Sequence, residues 1–339
     1  MVKNYFKIAW RNLINSKGYS AINIGGLAVG MAVAILIGLW IYDELNYNKY
    51  HKNYNSIARV MQNQLFNGEI ATQFSNPAVL SEEIRNKYGS DFKYVLQSSW
   101  NFENTLAYGE KKLLKAGSFF ESGVAEMLSL KILKGTANGL KDPYSIMLSA
   151  SMANAYFDNE EPIDKVLRLD NKVDLRVTAV YEDLPYNTTF RDLTYIMPWE
   201  LYLIQNPWIK KMENPWGSNF TQTFAQLADN ADMEKVSAKI KNVKLDVVGP
   251  EEKKFKAAIF LQPMNKWHLY ADFKNGINTG GRIQYVWLFG IVGLFVLLLA
   301  CINFMNLSTA RSEKRAKEVG VRKAIGSNRG QLIAQFFSE

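Results

Sequence analysis

Two stretches of this chain carry no charged residue at all: Ile22 to Tyr42, INIGGLAVGMAVAILIGLWIY, and Tyr285 to Leu307, YVWLFGIVGLFVLLLACINFMNL. They are 21 and 23 residues long, and a helix needs roughly 20 apolar residues to cross about 30 Å of hydrocarbon. Each is read as a transmembrane helix, the first over residues 19–42 and the second over 285–307. A cleaved secretory signal fits the first poorly, because its apolar run exceeds the roughly 7 to 15 residues of such a segment. It also ends in Tyr42-Asp43-Glu44 where a small-residue cleavage site would stand, which leaves an uncleaved signal anchor as the compatible form.

Charge orients the spans. Residues 1–21 hold Lys3, Lys7, Arg11 and Lys17 with no acid, and a similar excess of +4 follows the second run. Together these account for the whole formal charge of +8, so the stretch from 22 to 307 is neutral. Basic residues flanking spans mark the cytoplasmic side, which places both ends inside the bacterial inner membrane and residues 43–284 in the periplasm. The same clustering argues against nucleic acid as the partner of the positive charge, since anionic lipid beside the spans attracts it. The only cysteine, Cys301, falls within the second span, so the external region is held by its own core without a disulfide.

On a helix, Lys3, Lys7 and Arg11 share one stripe while Phe6 and Trp10 fall on a neighbouring face. Residues 1–18 thus read as an amphipathic interfacial helix, or as a basic, frayed start of the span itself. Gly18 is expected to break that helix before the bilayer. Within the first span Gly26, Gly30, Ala34 and Gly38 recur every four residues, a small-residue stripe that lets another helix approach closely. Asn303 and Asn306 near the end of the second span either bond across to a neighbouring helix or mark the interface.

The external region interleaves strand and helix patterns, giving one or two α+β subdomains. Ser56 to Phe66 and Val166 to Leu184 alternate as strands, the latter with a hairpin turn at Asp170-Asn171. Pro77 to Gly89, Ser149 to Asn159 with a serine cap, and Met233 to Leu245 with apolar Val236, Ile240 and Val243 read as helices. Catalytic constellations are missing: there is no phosphate-binding G-x-x-x-x-G-K-[ST] loop and no G-x-S-x-G, and neither His51 nor His268 has a second ligand at metal spacing. The adjacent acids Glu82-Glu83, Glu160-Glu161 and Glu182-Asp183 point apart on a helix or strand. The chain reads as non-catalytic, with no cofactor or metal of its own.

The segment after the second span, NLSTARSEKRAKEVGVRKAIGSNRGQLIAQFFSE, resembles the R-x-x-E-[IV]-G-[IV]-R-[KM]-A-[LIV]-G-[AS] signature of the FtsX-like, MacB-type ABC transporter permeases. The matching residues are Arg315, Glu318, Val319, Gly320, Val321, Arg322, Lys323, Ala324, Ile325, Gly326 and Ser327. The start, YFKIAWRNLINSKGYSAINIGGLAVGMA, is similar to that superfamily's N-terminus. AGSFFESGVAEMLSLKILKG, LSASMANAYFDNEEPIDKVLRLD and VTAVYEDLPYNTTFRDLTYIMPW resemble its periplasmic core domain. One departure stands out: where the family usually has P-I-G-K, this chain has Pro162-Ile163-Asp164-Lys165.

The resemblance implies a membrane protein in which two transmembrane helices flank an α+β extracytoplasmic domain. It implies a permease subunit that couples a partner's ATP hydrolysis to movement of the periplasmic domain, in an exporter or extractor. ATP and magnesium are then expected on an ABC ATPase of a separate chain, since Met1 directly precedes the interfacial helix. A second permease unit, membrane lipid and a periplasmic adaptor complete the expected partners. Residues 308–339 would form a cytoplasmic helix and coupling element, contacting the ATPase through the signature residues and leading into a third span that begins near Leu332 to Phe337. A family unit has four spans, so the chain is expected to be the N-terminal part of a longer permease. By its charge alone the basic segment also suits a juxtamembrane anchor on lipid headgroups. A two-span receptor with an external sensor shares the topology, but it would continue in heptads after residue 310; this sequence is expected to break at Gly320 and Gly326. An anchored cell-wall enzyme would need a nucleophile or carboxylate set that is missing. Nothing in the residues names a substrate.

Overall fold

The computed structural model describes residues 17–158 and 160–326, together with Arg11, Ile14 and Gly330. The chain divides into a membrane unit, built from residues up to Asp43 and from Gln284 onward, and an external unit, Glu44–Ile283.

In the membrane unit, α1 (Lys17–Leu45) and α8 (Ile283–Ala324) are, among the described residues, the two helices long and apolar enough to span a bilayer, over Ser20–Leu45 and Ile283–Asn306. Their apolar side chains are mostly exposed, as lipid-facing surfaces are. Gly18 does not break the first helix as expected: α1 runs through it, and Arg11 and Ile14 are helical too. Nor does Gly320 break the second, since α8 continues unbroken for 42 residues. One glycine costs a helix only about 1 kcal/mol relative to alanine. Good helix formers on either side of Gly320, Ala316, Lys317 and Glu318 before it and Arg322, Lys323 and Ala324 after it, offset that.

The external unit joins two subdomains. Strands β1 (Ile57–Phe66), β3 (Phe92–Ser98), β11 (Gln222–Leu227) and β12 (Ala258–Pro263) pair antiparallel in the order β12-β1-β11-β3. Helices α2 (Leu80–Tyr88) and α6 (Met233–Lys239) follow β1 and β11, so the chain traces two βαβ units in the split arrangement of a ferredoxin-like fold. Both helices cover one face, burying Val60, Leu80, Ile84, Val95, Val236, Ile240 and Leu261. Asp232 caps α6 by accepting from Lys235 N at 2.9 Å, and the helix ends at Lys239, short of the expected Leu245; Val243 is buried from a turn. Strand β2 (Glu69–Gln73) returns along β1 through Asn67-Gly68, both with positive φ, the turn that a two-residue hairpin favours.

Residues 99–221, inserted between β3 and β11, form the second subdomain. Its strands are β4 (Phe102–Tyr108), β5 (Lys111–Phe120), β6 (Ile132–Gly135), β7 (Ser145–Ser149), β8 (Val166–Leu169), β9 (Val173–Tyr181) and β10 (Tyr195–Pro198). The pairings β5-β4-β8-β9-β7-β10-β5 close a ring, with β7–β9 and β10–β5 parallel and β6 added on β9. Inside lie Leu106, Ile146, Leu148, Leu167, Leu175, Val177 and Met197. Between β5 and β7 comes the single turn α3 (Val124–Met127), and α4 (Ala150–Phe157), capped by Ser149, adds Met152, Tyr156 and Phe157 to the core. The turn at Asp170-Asn171 has both residues left-handed, as the hairpin requires. Asp164, at the position of the family's glycine, holds the same left-handed backbone with φ 64°, which aspartate tolerates better than most residues. A shared core of Ile57, Leu96, Phe120, Met147, Ile196, Phe190, Phe224 and Trp267 welds the subdomains together.

After β10 come α5 (Trp199–Gln205) and, before β12, the short α7 (Pro250–Lys253). A two-stranded ribbon, β13 (Asp272–Lys274) and β14 (Ile277–Gly280), closes the unit.

Candidate functional site

Three places carry functional geometry: the packed pair of spans, the helix end beyond the second span, and a cleft in the external unit.

The spans pack antiparallel. A Cβ on Gly26 would stand 3.1 Å from the Asn303 amide nitrogen, and one on Gly30 only 2.6 Å from the Ala300 Cβ. On the other helix, Gly293 faces Ile37 at 3.2 Å, Gly290 faces Ile41 at 3.7 Å, and Trp40 meets Phe289 edge-on at 5.1 Å. The missing side chains let the helices approach, and dispersion contacts hold them in lipid. Gly38 meets nothing within 4 Å and Ala34 is half-buried, so the stripe touches this partner through Gly26 and Gly30. Gly290 and Gly293 escaped sequence reasoning, which had no register to show which glycines would meet. Asn23 is also buried, and its Oδ1 has no partner among the described residues.

Beyond the span, α8 carries the signature segment out to Ala324. Gly326 then adopts φ 94° and its N–H bonds to the Lys323 carbonyl at 3.2 Å, a glycine stop. Val321 and Ile325 lie one helical turn apart and are 59% and 79% exposed. Gly320, Lys323, Ala324 and Gly326 are exposed as well. Arg315, Glu318, Val319 and Arg322 sit on the helix backbone, while their side chains lie outside the described residues. So do Ser327 and the onset of the expected third span, Leu332 to Phe337, and, at the other end, Lys3, Phe6, Lys7 and Trp10. Arg11 is helical and exposed.

In the external unit a cleft of about 660 Å³ opens between β3 on one side and the start of α5 on the other. Arg85 on α2 and Glu121 after β5 pair across it, with Nη1 to Oε2 at 2.6 Å and Nη2 to Oε1 at 3.1 Å. Lys93, Lys141 and Trp199 also line it. The two histidines lie elsewhere. His51 is buried between the Leu128 carbonyl and the Thr188 hydroxyl, and His268 pairs with Glu44. Among the described residues no three His, Cys, Asp or Glu side chains gather as metal ligands.

Two closely packed spans and an α+β external domain, with the second span continuing as one helix into a basic segment, fit a membrane protein, and the family models set its class as transporter permease. The family model for the MacB-like periplasmic core domain matches residues 20–243, and that for the FtsX-like permease C-terminal region matches 290–339. The chain therefore belongs to the family of ABC transporter permeases with a MacB-like periplasmic core domain. It is 25% identical over 194 residues to the uncharacterized ABC transporter permease YknZ of Bacillus subtilis, covering 57% of this chain and 43% of that one. It is 23% identical over 200 residues to the macrolide export ATP-binding/permease protein MacB of Bdellovibrio bacteriovorus, covering 57% and 27% respectively. The chain thus spans less than half the length of these relatives. A crystallised domain of a permease protein from Porphyromonas gingivalis shares the fold, with a TM-score of 0.51 at 12% identity over 70% of this chain and 98% of that domain.

Proposed function

We propose that this chain is the moving membrane part of a mechanotransmitting ABC transporter: a cytoplasmic ATPase binds the end of α8, and its nucleotide cycle drives the periplasmic domain. The observation that carries this reading is the exposed pair Val321, in the last turn of a helix that continues past the span, and Ile325, just beyond its end with its N–H on the Val321 carbonyl at 3.1 Å. Apolar side chains at i and i+4 on a solvent-exposed helix suit insertion into a partner's groove. Lys323, with Arg315 and Arg322 of the same segment, supplies positive charge for acidic residues around such a groove. At about 1.5 Å per residue α8 is roughly 63 Å long, about twice the hydrocarbon thickness, so a push at one end reaches the other without a joint. The basic flanks of both spans support cytoplasmic ends and a periplasmic domain in the inner membrane.

In this reading ATP and magnesium are held by the ATPase on a separate chain, and this chain contributes no catalytic group. A second permease unit, from another copy or from further spans of the same polypeptide, supplies the matching half, and an adaptor or substrate would meet the external domain. Co-purification with the ATPase tests it. Gly320→Pro and Arg322→Glu are each expected to weaken recovery of the ATPase about tenfold or more, equivalent to about 1.4 kcal/mol, with the external domain still folded. Unchanged recovery would reduce the segment to a lipid anchor.

A further inference from the structure

We propose that the free edge of β3 is a docking strand for an extended, acidic segment of a partner polypeptide. Strand β3 ends the ferredoxin-like sheet. On one side β11 pairs along its length, whereas on the other β5 meets it only at Ser98–Phe120. From Phe92 to Leu96 no strand lies beside the second edge among the described residues, and that stretch borders the 660 Å³ cleft.

At Gln97 the carbonyl accepts from the Glu121 main-chain N–H at 3.0 Å, and around it side chains stand where a neighbouring strand's backbone would be. The Gln97 N–H donates to Glu121 Oε2 at 2.7 Å, and the Val95 carbonyl accepts from Arg85 Nη1 at 2.6 Å. The same guanidinium and carboxylate bond to each other, so this pair satisfies the inner end of the edge. Toward the outer end a bulge leaves Lys93 without an opposite residue on β11. A lysine at a bulge is how edge strands avoid indiscriminate pairing. Here, however, the guard leaves room for an added strand, whose backbone would supply affinity and whose alternate side chains would read the cleft walls.

Charge selects the occupant. Lys93 and Lys141 line the cleft, are exposed, and form no ion pair among the described residues. The acids of the cleft are already engaged, Glu121 by Arg85 and Glu200 by Lys210 at 3.2 Å. The unbalanced charge is therefore positive. A second copy of this edge would set lysine-bearing strands against each other, which is unfavourable, so the occupant is a different and acidic chain.

The probes are three fluorescein-labelled heptapeptides with capped ends: alternating valine and glutamate, alternating valine and lysine, and the glutamate peptide with its two inner valines replaced by proline. Anisotropy is followed with the full chain in nanodiscs of zwitterionic lipid. Saturable binding of the first peptide alone is expected. It should weaken by about tenfold or more in Lys93→Glu/Lys141→Glu, and stay unchanged in the equal-charge control Lys112→Glu/Lys172→Glu on the barrel. The proposal is overturned if the glutamate peptide does not saturate, if the proline peptide binds as well, or if both double variants behave alike. Self-association of the chain through this edge, abolished by Lys93→Glu, would overturn it too. No ATPase enters the measurement, so its outcome is independent of the coupling proposal.

Discussion

Nε2 of His268 lies 2.7 Å from Oε2 of Glu44, which joins the two ends of the external unit: Glu44 is its first residue, and His268 lies shortly before its last. Tyr47 stacks on the imidazole with ring centroids 3.7 Å apart and planes 5° from parallel, and Arg282 Nη1 approaches Oε1 of the same carboxylate at 3.6 Å. The carboxylate side chain is only 9% exposed. Removing one partner leaves a largely desolvated charge, so the cluster acts as a clasp on the chain ends.

Glu44→Ala is expected to cost about 2 kcal/mol, the range for a hydrogen bond to a charged group that leaves its partner unmet. Hydrogen exchange of residues 46–54 is then expected to quicken by roughly thirtyfold at constant pH, while β8 and β9 keep their protection. Uniform acceleration across the external unit would mean that the clasp holds the whole domain.

His51 gives an acid dependence. Its Nδ1 stands 2.7 Å from the Leu128 carbonyl, which only accepts, so Nδ1 carries the proton; Nε2 lies 2.9 Å from the Thr188 hydroxyl, whose one proton is shared between Nε2 and the Asn48 Oδ1 at 3.0 Å. Burial lowers its pKa below the ordinary 6.5, against a smaller opposing effect of the Leu128 bond. Tyr50 and Phe190 meet the ring edge-on, and Glu182, bonded to Tyr50 and paired with Lys131, is the charge on that side. The unfolded chain therefore binds a proton that the folded chain refuses. The stabilising difference is complete above pH 6.5 and is lost as pH falls toward the lower folded value. Melting midpoints measured from pH 7 down to pH 5 are expected to drop in the native protein and to drop less steeply in His51→Gln.

Lys244 works in the opposite range. It is 1% exposed, and among the described residues its ammonium bonds the Gln62 and Asn219 side-chain oxygens alone, at 3.4 and 3.5 Å. Burial lowers its pKa to about 8, against a smaller opposing effect of Glu252. Between that value and the ordinary 10.5 the unfolded chain holds the proton and the folded chain does not, so stability rises with pH across the window. Lys244→Met is expected to raise the melting midpoint at pH 7 and to flatten its rise between pH 8 and pH 10.

Legibility followed the range of the interactions involved. The spans were visible because lipid forbids charge over a known length, and the β8–β9 hairpin because Asp170 and Asn171 tolerate a left-handed backbone. The barrel's closure by the parallel pair β10–β5 joins residues far apart in sequence, and local pattern has no access to such pairing. Strand β1 alternates in sequence as if one face met water, yet both faces are covered at its centre. That cover is why Arg59 ends up stacked between Phe74 and Trp267, at 4.1 and 5.3 Å from the ring centroids, where burial lowers its pKa to about 10. Edge vacancy on β3 is likewise a property of topology, so the cleft and its Arg85–Glu121 plug left no signal in composition or spacing.

Helix packing in the membrane gives a reciprocal test. A side chain at Gly30 collides with Ala300, whose Cβ is 2.6 Å from the ideal position. Gly30→Ala is expected to lower the temperature of aggregation in detergent, and Gly30→Leu to lower it further, since overpacking costs about 1 to 3 kcal/mol. Ala300→Gly combined with Gly30→Ala removes the collision and is expected to restore most of the loss. Failure of that rescue would show that Gly30 faces a different helix in the assembled transporter.

The rod proposed for α8 is separable from its docking end. Four glycines inserted between Thr309 and Ala310 add about 4 kcal/mol of helix penalty at one point, enough to interrupt the helix while leaving the segment from Arg315 to Gly326 unchanged. If α8 serves as a rigid link, the ATPase still co-purifies at native yield. Nucleotide-dependent changes in hydrogen exchange within the external unit disappear, because the push no longer crosses the insertion. Four alanines at the same site keep the helix, at the lowest propensity cost of any residue, but rotate its end by roughly 40° beyond a full turn and lengthen it by about 6 Å. They are expected to retain a changed but nonzero response. Equal responses from both insertions would mean that the external domain is driven through another element, and the continuity of α8 past Gly320 would then serve docking alone.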